Sequence, residues 1–159
     1  MNLIGWEYET PHKRNETSPQ PLTGWLLLMG FIEDAFNAAK ILLLASASQM
    51  KDAVNDSTHK PAIVDFFSEH CGYSRNMAGP FTELKATYEN SVTFLGVDAG
   101  DHASFTGDYK ISAFPTFIGY ACGHEIDRVV GATKEGVENL VMRLKDTKCW
   151  MKDKMKFQK

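Results

Sequence analysis

Cys71 stands in the run Ser68-Glu69-His70-Cys71-Gly72-Tyr73-Ser74-Arg75, directly after the apolar stretch Ala62 to Phe67 and before a stretch with helical periodicity. A cysteine at a strand-to-helix junction lies beside unpaired backbone N–H groups at the positive end of the helix, and that surrounding favours thiolate over thiol. A protonated His70 pushes the same way, and Arg75 adds positive charge nearby. The chemistry to expect is thiol–disulfide exchange, in which a Cys71 thiolate attacks a disulfide sulfur. Three residues on, Ser74 carries a hydroxyl, which unlike a thiol cannot enter a disulfide. Asp65, flanked by Val64 and Phe66 in the preceding strand, should be desolvated, with a raised pKa that makes it a candidate proton carrier or a tuning group for Cys71.

Two further cysteines, Cys122 and Cys149, complete the count of three, too few and too scattered for a disulfide-scaffolded domain. Cys122 lies seven residues beyond Pro115, roughly 20 Å along an extended strand, too far to resolve an adduct on Cys71. Both are expected to be incidental thiols, and a reducing, cytoplasmic location is the expectation.

Such a site needs elements to hold it. Apolar residues Phe31, Ile32, Ala35, Phe36 and Ala39 predict a short amphipathic helix within Gly30 to Lys40, with Glu33 and Asp34 early, as the helix dipole favours. Strands are expected at Ile41 to Leu44, Ala62 to Phe67, Val92 to Val97, Thr116 to Tyr120 and Glu125 to Val130, and helices at Ser48 to Asn55, Ser74 to Tyr88, His102 to Tyr109 and Lys134 to Lys145. Alternating strands and helices imply right-handed crossovers and a parallel core, and a turn near Gly123 adds an antiparallel pair. The expected fold class is α/β, a mixed central sheet with helices on both faces. Ligands gather at the carboxyl ends of parallel strands, where Cys71 falls.

Composition sets the outer limits. The 159 residues are 43% apolar and 23% charged, the make-up of one ordinary globular domain. A formal charge of -3 removes the electrostatic reason for nucleic acid as a partner. Residues 143 to 159 carry a net +5, which leaves -8 on residues 1 to 142. The organisation expected is an N-terminal extension over 1–39 with an irregular, Pro-bearing start, a domain over 40–147, and a basic C-terminal tail over 148–159. No apolar stretch approaches the roughly 20 residues that span a bilayer, and Glu33 and Asp34 break the one that could have served as a targeting segment.

The run Ala62 to Ser74, with Phe114-Pro115-Thr116-Phe117 and Val130-Gly131-Ala132 further on, resembles the thioredoxin family over about residues 40 to 146. The resemblance implies the thioredoxin fold, Cys71 as nucleophile, Asp65 as the buried acid and Phe114-Pro115 as a cis peptide beside the site. His70, Gly72, Tyr73, Phe114 and Pro115 would then line the substrate-binding surface, and the backbone near Pro115 could pair with an extended peptide. Three departures stand out: Ser74 replaces the family's second cysteine, His70 its usual Trp, and Tyr73 its Pro or His. Gly96, where some relatives place a charged residue, suggests that Asp65 has no ionic partner.

The loop Cys71-Gly72-Tyr73-Ser74 by itself is similar to the CGFS loop of monothiol glutaredoxins, which hold an iron–sulfur cluster with glutathione. The activity expected is that of a disulfide reductase in cell redox homeostasis, acting on protein disulfides or glutathione mixed disulfides. Its partners would be protein thiols, with glutathione as co-substrate or a reductase as electron donor, no bound cofactor, and a monomeric state. Two alternatives are a binding module that traps clients, and a cluster carrier.

Overall fold

A computed structural model describes residues 31–149. In chain order the elements are α1 (Ile32–Ala38), β1 (Leu42–Leu43), α2 (Ala47–Asp56), β2 (Ala62–Phe67), α3 (Gly72–Tyr88), β3 (Thr93–Asp98), α4 (Ala103–Asp108), β4 (Thr116–Ala121), β5 (His124–Val130) and α5 (Lys134–Asp146). They form one five-stranded sheet in the order β1-β3-β2-β4-β5. β3 runs parallel to both β1 and β2, while β4 is antiparallel to β2 and β5 to β4. The sheet is mixed, with helices on both faces, as the alternating pattern requires. Residues 1–30, which include the irregular start of the expected extension, and residues 150–159, most of the basic tail, lie outside the described residues.

β2 is the central strand, and all six of its residues are buried. Strand geometry sends alternate side chains to opposite faces. Ile63 and Phe67 join Phe36, Phe81, Phe117 and Leu140 on the face covered by α1, α3 and α5. Ala62, Val64 and Phe66 join Met50, Leu95 and Phe105 on the face covered by α2 and α4. By the same period Asp65 shares the face of Ile63 and Phe67, under α3.

α1 contributes to the core directly, because Ile32, Ala35 and Phe36 are buried. Phe36 packs edge-on against Phe67, with ring centroids 5.4 Å apart, and against Phe81 at 5.5 Å. Gly96 makes this possible. A Cβ there would lie 2.8 Å from the Phe36 ring and 2.9 Å from Leu43, so the missing side chain opens the seat that Phe36 fills.

The expectation that Cys122 and Cys149 are incidental thiols is corrected: the two are joined in a disulfide, with Cα atoms 5.2 Å apart. Two features hidden from a residue-by-residue reading explain it. Cys122 and Gly123 both have positive φ, 57° and 79°, and form the two-residue loop of the β4–β5 hairpin. Cys122 therefore sits at the tip of a turn, and the three residues after α5 carry Cys149 to that tip.

Candidate active site

Cys71 is the N-cap residue of α3, extended at φ -95° and ψ 118°, and its own carbonyl accepts the first helical bond from the Arg75 N–H at 3.1 Å. The preceding loop is closed by a bond from the Cys71 N–H to the Ser68 carbonyl at 3.0 Å. The thiol is therefore presented at the helix N-terminus with partial access to solvent. Among the described residues it is the free cysteine.

Four influences act on that sulfur. Its partial burial pushes the thiol pKa up. The backbone N–H groups of Ser74 and Tyr73, the Ser74 hydroxyl and the charge of Arg75 all favour the thiolate, and together they bring the pKa below its ordinary value. Ser74 is fully buried and its hydroxyl oxygen also accepts the Ser68 N–H at 3.3 Å, which fixes the side chain beneath the loop. Arg75 is steadied by donating from Nη1 to the Glu69 carbonyl at 3.0 Å. Among the described residues no cluster of three or more His, Cys, Asp or Glu is placed to hold a metal ion.

The Phe114–Pro115 peptide is cis, and the Cys71 thiol donates to the Phe114 carbonyl with a separation of 3.6 Å. The Pro115 carbonyl accepts the Gly131 N–H at 2.8 Å, tying this segment to the end of β5. Around the sulfur, His70 and Gly72 are exposed, and Tyr73 is 69% exposed, a large aromatic surface at the mouth of the site. The structure thus gathers Cys71, His70, Gly72, Tyr73 and Phe114 at one rim, while Ser74 and Pro115 are buried.

Asp65 lies beneath rather than on that rim. It is fully buried, and neither carboxylate oxygen has a hydrogen-bond partner. Burial alone holds its pKa well above the usual carboxylate value and disfavours the charged form. Its register partner on β3 is Gly96, and the space beside that glycine belongs to the Phe36 ring. No cation faces Asp65 from that position.

One residue near the site gave no signal in sequence. The Glu69 carboxylate, two residues before Cys71, accepts the Ile32 N–H at 2.9 Å and the Glu33 N–H at 2.7 Å, capping α1. A side-chain cap from 36 residues away has no local pattern. The same loop that presents the thiol therefore anchors the first described helix.

With this geometry in place, comparison with known proteins is informative. The family model described as Thioredoxin matches residues 41–144. Among curated relatives, Thioredoxin-2 of Pyricularia oryzae is 32% identical over 106 residues, covering 65% of this chain and 60% of that protein. The thioredoxin of Equus caballus is 31% identical over 101 residues, covering 64% of this chain and 95% of the relative. A solved structure of reduced Schistosoma mansoni thioredoxin pre-protein superposes with a TM-score of 0.61 at 30% identity, covering 65% of this chain and 97% of that one. The family match begins after α1, so the helix capped by Glu69 lies outside it. Among the described residues no helix is long and apolar enough to cross a membrane.

Proposed function

This chain belongs to the thioredoxin family, and from that premise we propose that it is a thiol–disulfide oxidoreductase working through Cys71 alone, with glutathione or another external thiol completing each cycle. The observation that carries the reading is the Cys71 thiol at the N-terminus of α3, partly open to solvent, with Ser74 where a resolving cysteine would stand.

The Cys71 thiolate attacks one sulfur of a client disulfide. A bond forms between Sγ of Cys71 and that sulfur, the client S–S bond breaks, and the other sulfur leaves as a thiolate that takes a proton from solvent. Ser74 and the backbone N–H groups of Tyr73 and Ser74 stabilise the attacking anion and receive it again when it is released. A glutathione thiolate then attacks Cys71 Sγ and expels the client as a free thiolate. A second glutathione attacks the glutathione sulfur on Cys71, giving oxidised glutathione and the starting thiolate. Two electrons pass from two glutathiones to one disulfide. With a glutathione mixed disulfide as substrate, Cys71 takes the glutathione moiety in the first step and the first glutathione attack completes the cycle.

Tyr73 and the Phe114-Pro115 segment provide the client surface, with the exposed ring as an apolar contact. Asp65 has no second thiol to deprotonate, so its part is confined to the potential beneath Cys71. Reduction of a model disulfide or glutathione adduct in the presence of glutathione tests the proposal. Turnover that disappears in Cys71→Ser supports it. Turnover that survives the substitution contradicts it, and stable Cys71-linked adducts with no turnover in glutathione identify a client trap instead.

A further inference from the structure

We propose that Cys122–Cys149 is a second reducible redox site, independent of Cys71, which clamps the segment after α5 to the hairpin and opens under external thiols. Three separate parts of the fold meet there. The hairpin tip supplies the Cys122 N–H, which donates to the Ser57 carbonyl at 3.0 Å, and the Gly123 N–H, which donates to the Ser57 hydroxyl at 3.1 Å. Ser57, 1% exposed at the end of α2, donates its own hydroxyl to the Val54 carbonyl at 2.6 Å. The segment after α5 supplies Cys149, whose sulfur lies 4.0 Å from the Ser57 carbonyl oxygen.

Ser57 therefore joins α2 to the hairpin through hydrogen bonds, and the disulfide adds the third part by a covalent bond across a sequence separation of 27 residues. A bond closing a loop of that length stabilises by removing freedom from the unfolded chain. Both cysteines are only partly buried, at the edge of the core rather than within it.

Independence from Cys71 follows from the sheet. β4 is antiparallel to β2, with Tyr120 opposite Ala62 and Thr116 opposite Phe66. Cys122 thus lies at the end of β2 where that strand begins, and Cys71 beyond the end where it finishes. The six residues of β2 alone put about 20 Å between them, several times the separation a disulfide allows. Neither sulfur of the pair can resolve an adduct on Cys71.

Opening is a two-electron reduction by an external dithiol or by two glutathiones. The S–S bond breaks, Cys122 and Cys149 each become a thiol with a proton taken up, and the reductant leaves as a disulfide. The open form keeps the Ser57 hydrogen bonds and loses the covalent tether between the hairpin tip and Cys149.

The test uses the full chain. After equilibration with a glutathione buffer rich in the oxidised form, followed by brief reduction of any adduct on Cys71, unfolded protein should react with one equivalent of a thiol reagent. After full reduction by dithiothreitol it should react with three, and a peptide map of the first sample should recover 122 linked to 149. The equilibrium constant for unfolding should rise by roughly two orders of magnitude on reduction. The double variant Cys122→Ser, Cys149→Ser should show the weakened stability under both conditions, with the alkylation rate of Cys71 unchanged within twofold. Three reactive thiols in the oxidised sample, a reduced protein as stable as the oxidised one, or a Cys71 rate that moves severalfold in the double variant would overturn the proposal. These readouts require no turnover by Cys71, so they stand or fall separately from the oxidoreductase reading.

Discussion

Cys71 and the Cys122–Cys149 pair occupy opposite ends of the same central strands, and the fold treats their sulfur in opposite ways. At one end a single cysteine caps a 17-residue helix, faces N–H donors and a buried hydroxyl, and has its pKa lowered. At the other end two cysteines close on each other over a buried serine and no longer titrate. The difference teaches that position relative to strand and helix ends decides cysteine chemistry here. A helix start lowers the pKa of a sulfur and leaves it unbonded, whereas a hairpin tip brings it to a partner.

Introducing a second thiol at the first end should break the contrast most severely. Ser74→Cys places a resolving thiol in the first turn of α3, and the lifetime of a Cys71 mixed disulfide in the absence of glutathione should fall at least a hundredfold, read by quench and mass spectrometry. At the other end, Cys122→Ser with Cys149→Ser should cost roughly 3 kcal/mol in denaturant unfolding without reductant, and leave Cys71 kinetics as they were.

Asp65 sharpens the comparison from beneath the reactive end. Below about pH 3.9 the carboxyl is protonated in both folded and unfolded chains. Above that value the unfolded chain ionises and releases its proton, while the folded chain keeps it because burial holds the folded pKa well above the usual value. The folded state then binds more protons, so this group's contribution to stability falls as pH rises toward the folded pKa. Asp65→Asn removes that penalty. It should raise stability at pH 7, with little gain near pH 3.5, as measured by unfolding at both pH values. The smallest effect belongs to Glu69→Ala, which removes the cap on α1 and should cost about 1 kcal/mol.

Much of this molecule was legible in its sequence. The run Ala62 to Phe67 is the observed strand to the residue, and Cys71 falls at the helix start where that strand and the following periodicity put it. The cis bond before Pro115 followed from the resemblance, not from periodicity. Element ends shifted by a residue or two, as with α3, which begins at Gly72 rather than Ser74, because the Cys71 carbonyl already accepts the Arg75 N–H.

What sequence did not show is long-range. Phe36 filling the seat beside Gly96, Glu69 capping a helix 36 residues earlier, and Cys149 meeting Cys122 each join residues that no local pattern connects. The absence of an ionic partner for Asp65 was inferred from Gly96 alone. The structure adds the physical reason, an aromatic ring where a charged side chain would need to lie.

The most direct measurement is the alkylation rate of Cys71 against pH, made on the oxidised protein, where the other two sulfurs are bonded to each other, and repeated in the Cys122→Ser, Cys149→Ser background. A midpoint clearly below the free-cysteine value of about 8.5, moved upward by Ser74→Ala, is the result expected of a thiolate held by the start of α3 and the Ser74 hydroxyl. A midpoint at or above that value contradicts Cys71 as an activated nucleophile.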